Sequence, residues 1–320
     1  MTAPRRPRAF AEYLGLIGVL VALVALFATA TDHFLSPLTF TTLANQIPAL
    51  TVIAVGLTLV LIAGGIDLSV GSVLALGSAV LAIALVEWRL PLPLAIGVCL
   101  AVGVAAGALS GFVTVRWAVP SFIVTVGMLE AARGTAYLVT GSRSVYVGGS
   151  IGAIGTPLPG LGLSPAFLVA VLVVVAGQLL LVRTVFGRYL VAIGTNAEAV
   201  RLSGIDPRPV VAAVFALSGA LAGLAGVFHL AYLESADPNS GIGLELSAVA
   251  AVVIGGTSLM GGRGSVISSF LGVLIIAVLQ SGLAQAGATE PAKRIVTGGV
   301  IVGAVILDAW RRATLLDRRS

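Results

Sequence analysis

Residues able to act on a solute are sparse in this sequence. Asp67 lies in the string GGIDLSVGS, Glu130 and Arg133 stand at i, i+3, and Asn45-Gln46 adjoin an apolar stretch. Histidine occurs only at His33 and His229, without the spacing of a metal site. Serines are plentiful, yet no serine, histidine and acid pattern marks a nucleophile. The single lysine, Lys293, follows Pro291-Ala292 where a phosphate-cradling loop needs glycine, so the chain has no P-loop. Cys99 is the only cysteine, which excludes a disulfide framework and a cysteine-based metal site. Hydrolytic chemistry finds no machinery here, and no cofactor or metal is expected on the chain itself. The remaining chemistry is binding, in which a carboxylate and side-chain amides hydrogen-bond a hydroxylated solute.

Each of these residues also has a purely structural reading. Asp67 suits a helix break beside a solute path, and equally an N-terminal cap for the helix that follows, with Ser69 in its first turn. Glu130 and Arg133 can neutralise each other toward a bundle interior, or meet solute directly. Asn45 and Gln46 serve either a solute or a neighbouring helix. His229 reads as an interfacial residue, and Trp88, Trp117 and Trp310 as belt residues at helix ends.

The elements that must position these groups follow from composition. Apolar residues make up 58% of the 320 residues and charged ones 10%, too little charge to cover a soluble domain of this length. The pattern predicts an all-α polytopic membrane bundle, one domain over 1–320, with about ten transmembrane helices. They fall near 13–31, 45–64, 69–87, 92–114, 119–140, 164–182, 209–232, 246–260, 265–285 and 293–309. The first of them, preceded by Arg5, Arg6 and Arg8 and ending at Ala28-Thr29-Ala30, is read as an uncleaved span, not a signal peptide. With both termini cytoplasmic, the inner side collects those arginines with Arg116, Arg183, Arg188, Arg201, Arg208, Arg263, Arg311, Arg312, Arg318 and Arg319. The outer side receives only Arg89, Arg143, Lys293 and Arg294, as the positive-inside rule requires. The net charge of +5 is thus placed for a bilayer, not for nucleic acid.

Two connections stand out. The outer one, 141–163, is rich in Gly and Pro and has little helical signal. The inner one, 183–208, contains Thr195-Asn196 as an N-cap, AEAVRLS as a helix of about two turns, Gly204 as a left-handed terminator and Pro207 as a block. Glu198 and Arg201 can pair on it, and Val200, Leu202 and Ile205 offer apolar contacts. A weak internal repeat aligns 60–80 with 252–273, setting Gly64-Gly65 opposite Gly255-Gly256 and Gly71-Ser72-Val73 opposite Gly264-Ser265-Val266. Glycine-interrupted spans at matching positions point to a transport path.

The strings GLTLVLIAGGIDLSVGSVLALG (56–77), FGRYLVAIGTNAEAVRLSGI (186–205) and LELSAVAAVVIGGTSLMGGRGSV (244–266) resemble three blocks of the ribose-type sugar permeases of ATP-binding-cassette (ABC) importers. The resemblance runs in order along nearly the whole chain. It implies a bacterial inner-membrane permease that works as a dimer with itself or a paralogue, facing an ABC ATPase dimer that binds ATP and Mg. It also implies a periplasmic or lipid-anchored sugar-binding protein at the outer loops. Gly187, Arg188, Gly194, Asn196, Ala199, Arg201, Ser203 and Gly204 would form the segment that docks on the ATPase. Gly64, Gly65, Asp67 and Ser69 match the family's second-span signature, and with Asn45, Gln46, Gly255 and Gly256 they form the candidate pathway set. Glu130 departs from the family pattern. Permeases for nucleosides or branched-chain amino acids, and a secondary transporter or channel needing no ATPase, are the competing readings.

Overall fold

The computed structural model describes residues 6–317; Arg5, Arg318 and Arg319 of the charge argument lie outside them. Helix α1 (Arg6–Ala30) leads to α2 (Pro37–Gln46) and α3 (Pro48–Ile62), then α4 (Val70–Val86), α5 (Leu92–Trp117) and α6 (Ser121–Thr140). The long connection after α6 holds β1 (Val145–Tyr146) and the one-turn α7 (Gly152–Gly155) before α8 (Pro165–Arg183). Then come α9 (Val185–Leu202), α10 (Arg208–Leu233), β2 (Ser235–Ala236), α11 (Leu244–Ile254), α12 (Val266–Gln285) and α13 (Glu290–Asp317).

Six of these helices are long and apolar enough to cross a membrane, and α2 with α3 makes a seventh if the pair is one bent span. The bend is 49° and falls at Ile47-Pro48, where proline removes a backbone donor and crowds the preceding turn. The span expected at 45–64 therefore starts earlier and is broken. Helix α4 is apolar but 17 residues long. Helix α11 has 11 residues, which at 1.5 Å per residue reaches only about half of a hydrocarbon core of about 30 Å. The stretch 246–260 is accordingly not one continuous span: helix gives way to turns after Ile254.

Burial sorts the helices into layers. Every residue of α3 is buried, and α4 is buried from Val70 to Ala84. Helices α1, α5, α6 and α8 surround this centre and turn Leu14, Leu94, Leu109, Leu138 and Leu172 outward, as lipid-facing helices do. Between α5 and α10 the helices touch backbone to backbone. A β-carbon on Gly107 would overlap the Phe215 carbonyl oxygen and lie 3.0 Å from Gly219 Cα; one on Gly219 would lie 2.8 Å from Gly107 Cα. Gly103 and Gly107 facing Gly219 and Gly223, with Gly111 against Ala212 and Phe215, are the small-residue spacing that permits such an approach in lipid. The connections after α6 and α10 meet in a two-stranded antiparallel ladder that pairs Val145 with Ala236 and Tyr146 with Ser235.

Candidate coupling and transport site

Helix α3 ends in a left-handed turn at Gly64 (φ +84), with Gly64 N–H donating to Leu61 O and Gly65 N–H to Val60 O. The chain then runs without helix to Ser69. Unpaired backbone inside a membrane is costly, so these groups need partners. Helix α6 supplies them: Ser121 Oγ accepts from Ile66 N–H at 2.9 Å, and the Thr125 hydroxyl donates to Ile66 O at 3.1 Å while accepting from Leu68 N–H at 3.2 Å.

Asp67 sits in this break and is 1% exposed. Its Oδ1 accepts from Ser69 N–H (3.0 Å) and Ser69 Oγ (2.6 Å), and its Oδ2 accepts from Ser218 Oγ of α10 (2.8 Å). The carboxylate thus orders the entry to α4 and ties it to α10, and in this conformation it is closed to solute. Ser69 donates to Asp67 and makes no side-chain cap of its own. Sequence reasoning missed Ser121, Thr125 and Ser218. The available signal for Ser218 was a serine inside a run of Gly and Ala on a membrane helix, where it must bond across helices.

The second glycine pair forms a matching break one residue out of the expected register. Ala63 and Gly255 are the equivalent capping residues just after their helices, with φ −74 and −62 and ψ −3 in both. Gly256 (φ +83), not Gly255, is the counterpart of Gly64: its N–H donates to Val253 O, and Thr257 N–H donates to Val252 O. Ser69 and Ser265 then precede α4 and α12, so the predicted pairing of Gly71 with Gly264 gives way to a pairing of these serines. The connector spans 65–68 in the first copy and 257–264, twice as long, in the second. Gly255 lies against α12, where a β-carbon would stand 2.6 Å from Ser268 O. Gln178 of α8, also missed, accepts from Val266 N–H at 2.9 Å and so satisfies a free donor at the start of α12.

Helix α9 is longer than expected. Thr184 caps it, accepting from Gly187 N–H at 3.1 Å, and its first limb runs to Thr195. Gly187 passes so near Leu180 O (2.5 Å from an added β-carbon) that no side chain fits. Asn196 interrupts the helix with an extended backbone (φ −163, ψ 96) and caps the second limb, its Oδ1 accepting from Ala199 N–H at 2.9 Å. Gly204 (φ +85) ends it, with Gly204 N–H on Arg201 O and Ile205 N–H on Val200 O, while Ser203 N–H donates to Ala199 O. The short capped helix predicted at 196–204 is therefore present, as the second limb of a kinked one. Arg201 grips Glu198 with two bonds of 2.6 and 3.0 Å, both side chains well exposed. That guanidinium holds the Glu198 carboxyl below the usual carboxylate range. Leu202, expected to pack, is 78% exposed, whereas Val200 is buried. Arg188, on the first limb, is exposed. Gly194 is pressed against the end of α3.

Asn45, near the end of α2, is buried and its amide is occupied on both ends. Its Nδ2 donates to Thr41 O (2.8 Å) and Gly162 O (3.0 Å), and its Oδ1 accepts from Ser164 N–H (2.7 Å). It pins the end of the outer connection to α2, while Gln46 is exposed. Arg133 does not pair with Glu130. Its Nη1 donates to the Pro238 carbonyl and to Ser240 O (2.7 Å), in the loop entering α11, and Glu130 faces outward from α6. Arginine offers several donors in a fixed fork, and carbonyls brought over by the fold take them here.

Residues 39–305 match the family described as branched-chain amino acid transport system / permease component. The ribose import permease protein of Escherichia coli (strain K12) is 38% identical over 304 residues, covering 93% of each chain. That of Bacillus subtilis (strain 168) is 36% identical over 310 residues, 94% of this chain and 92% of its own. The L-arabinose ABC transporter permease protein of Azospirillum brasilense is 31% identical over 323 residues, 97% of this chain and 92% of its own. No solved structure matches. Similar along almost its whole length to permeases of this kind, the chain belongs to the family of ribose-type ABC import permeases.

Proposed function

We propose that this chain, the permease subunit of an ABC sugar importer, carries a monosaccharide or related polyol across the bacterial inner membrane by alternating access. Two permease subunits, this chain twice or with a paralogue, would enclose the path, and a dimer of ATPase subunits holding ATP and Mg would close to drive it. A periplasmic or lipid-anchored binding protein would deliver the sugar at the outer loops, 141–163 above all. In this reading the bent pair, α4, the half-length α11 and α13 complete about ten crossings, with both termini in the cytoplasm.

The observation that carries the coupling part is the second limb of α9. It is a helix capped at Asn196 and terminated at Gly204 that exposes Leu202, Glu198 and Arg201. A concavity of about 370 Å³ beside it, lined by Arg201, Gly204, Ile205, Asp206, Pro207 and Arg208, adds relief for a partner surface. The family description mentions branched-chain amino acids; the identities with ribose and arabinose permeases favour a sugar. The test is uptake into proteoliposomes holding this chain with the ATPase and binding protein encoded beside it. ATP-dependent uptake of labelled ribose, competed by other sugars and not by leucine, is expected. Uptake that needs no ATP would overturn the reading.

A further inference from the structure

Four glycines from three separate segments converge where the first limb of α9 ends. A β-carbon placed on Gly194 would overlap Ile62 O and stand 2.6 Å from Gly262 N. One on Gly261 would lie 3.0 Å from both Gly194 Cα and Gly64 Cα, and one on Gly262 would lie 2.5 Å from Thr195 Oγ1. Gly262 N–H donates to Ile62 O at 2.9 Å, so the two breaks are also stitched to each other. Gly64, Gly261 and Gly262 have φ of +84, +84 and +73, a conformation that itself favours glycine. Gly194 is helical and has no such need. Glycine there costs about 1 kcal/mol relative to alanine, and what it gains is backbone contact. The extra length of the second connector, 257–264, is what brings Gly261 and Gly262 to this point.

We infer that Gly194 is a positioning residue that transmits movement of the α9 second limb, by direct backbone contact, to both intramembrane breaks at once. The inference rests on the proposed docking of that limb to an ATPase. Asn196, two residues beyond Gly194, is where the helix changes direction, so the limb acts on the joint through a single kink. Soft side chains absorb small displacements by changing rotamer, whereas touching backbones cannot. A shift of the limb therefore displaces the end of α3 and the 257–264 turn together, and with the first of these the Asp67 segment.

The test uses the reconstituted importer with Gly194→Ala, and Gly97→Ala as a control, since nothing stands within 4 Å of a β-carbon added at Gly97. In Gly194→Ala the sugar moved per ATP hydrolysed should fall by about tenfold or more relative to wild type. Normal transport per ATP in that variant overturns the inference and leaves the parent reading intact. A wild-type chain that is not driven by ATP overturns the parent reading instead. Where Gly194→Ala fails to assemble, hydrogen exchange on the wild-type complex decides, with and without a non-hydrolysable ATP analogue. Peptides over 62–69 and 257–264 should change protection together with 197–204; a change confined to 197–204 overturns the joint.

Discussion

The Ser218 hydroxyl donates to the Asp67 carboxylate at 2.8 Å, joining residues 151 positions apart in a site that neither water nor solute enters in this conformation. A carboxylate deep in a membrane protein is ordinarily a candidate for solute or proton handling. Here its bonds to Ser69 and Ser218 consume most of its accepting capacity, and in this conformation it joins the start of α4 to α10.

Asp67→Ala should lower stability by about 2–4 kcal/mol, because it strands the Ser69 and Ser218 donors in a buried site. Asp67→Asn keeps an acceptor for Ser69 and can donate to Ser218, so it should insert normally and retain most transport. Thermal unfolding in detergent, followed by uptake, separates the two. Transport abolished in a well-folded Asp67→Asn chain would show that the charge acts in the path.

Asn45→Ala should free the end of the outer connection. It removes bonds to Gly162 and Ser164, a loss of about 1–3 kcal/mol for buried partners left unpaired. Limited proteolysis from the outer side should then cleave within 141–163 faster than in the wild type, with the helices intact.

Glu130→Gln should leave stability within about 0.5 kcal/mol of wild type, since Glu130 is exposed and Arg133 is engaged with Pro238 and Ser240. Arg133→Ala should destabilise the loop entering α11. Thermal unfolding of the two variants in parallel gives the comparison, and equal losses would mean that the two side chains act as a pair.

Gly204→Val should uncouple transport from hydrolysis. A β-branched residue is strained at φ +85, so the terminator of the α9 second limb is lost. Solute-stimulated ATPase activity equal to wild type would remove the helix end from the coupling machinery.

The Glu198–Arg201 pair fixes the sign of a pH effect. A carboxyl whose value is lowered in the folded chain contributes above its unfolded value, about 4.3, and loses that contribution as pH falls through the lowered value. Glu198→Gln and wild type should therefore show the same pH profile of uptake from pH 5 to 8.

Much of this was legible in the sequence, for reasons that also explain what was not. Asn196 and Gly204 announced the α9 second limb because caps are local: a side chain or a left-handed turn within one helical turn decides them. The first limb was not expected: glycine is a poor helix former, and only the approach of Leu180 and Ile62 reveals why Gly187 and Gly194 are there. The repeat was visible, but its register was set wrongly by matching Gly-Gly to Gly-Gly. The left-handed backbone that favours glycine falls at Gly64 and Gly256; Ala63 fills the position before it in the first copy, and Gly255 in the second answers to the close approach of α12. Glu130 and Arg133 had the spacing of a pair. Which partner an arginine takes depends on which carbonyls the fold brings within reach, and those of Pro238 and Ser240 come from a distant loop.

The glycine seam between α5 and α10 limits how this molecule can change shape. Helices separated by side chains can slide by re-sorting those side chains, but Gly107 and Gly219 leave no such padding between the two backbones. The pair is therefore a keel, one stiff body that turns as a whole. Any opening toward either face of the membrane has to be accommodated along other boundaries, beginning with the short α11.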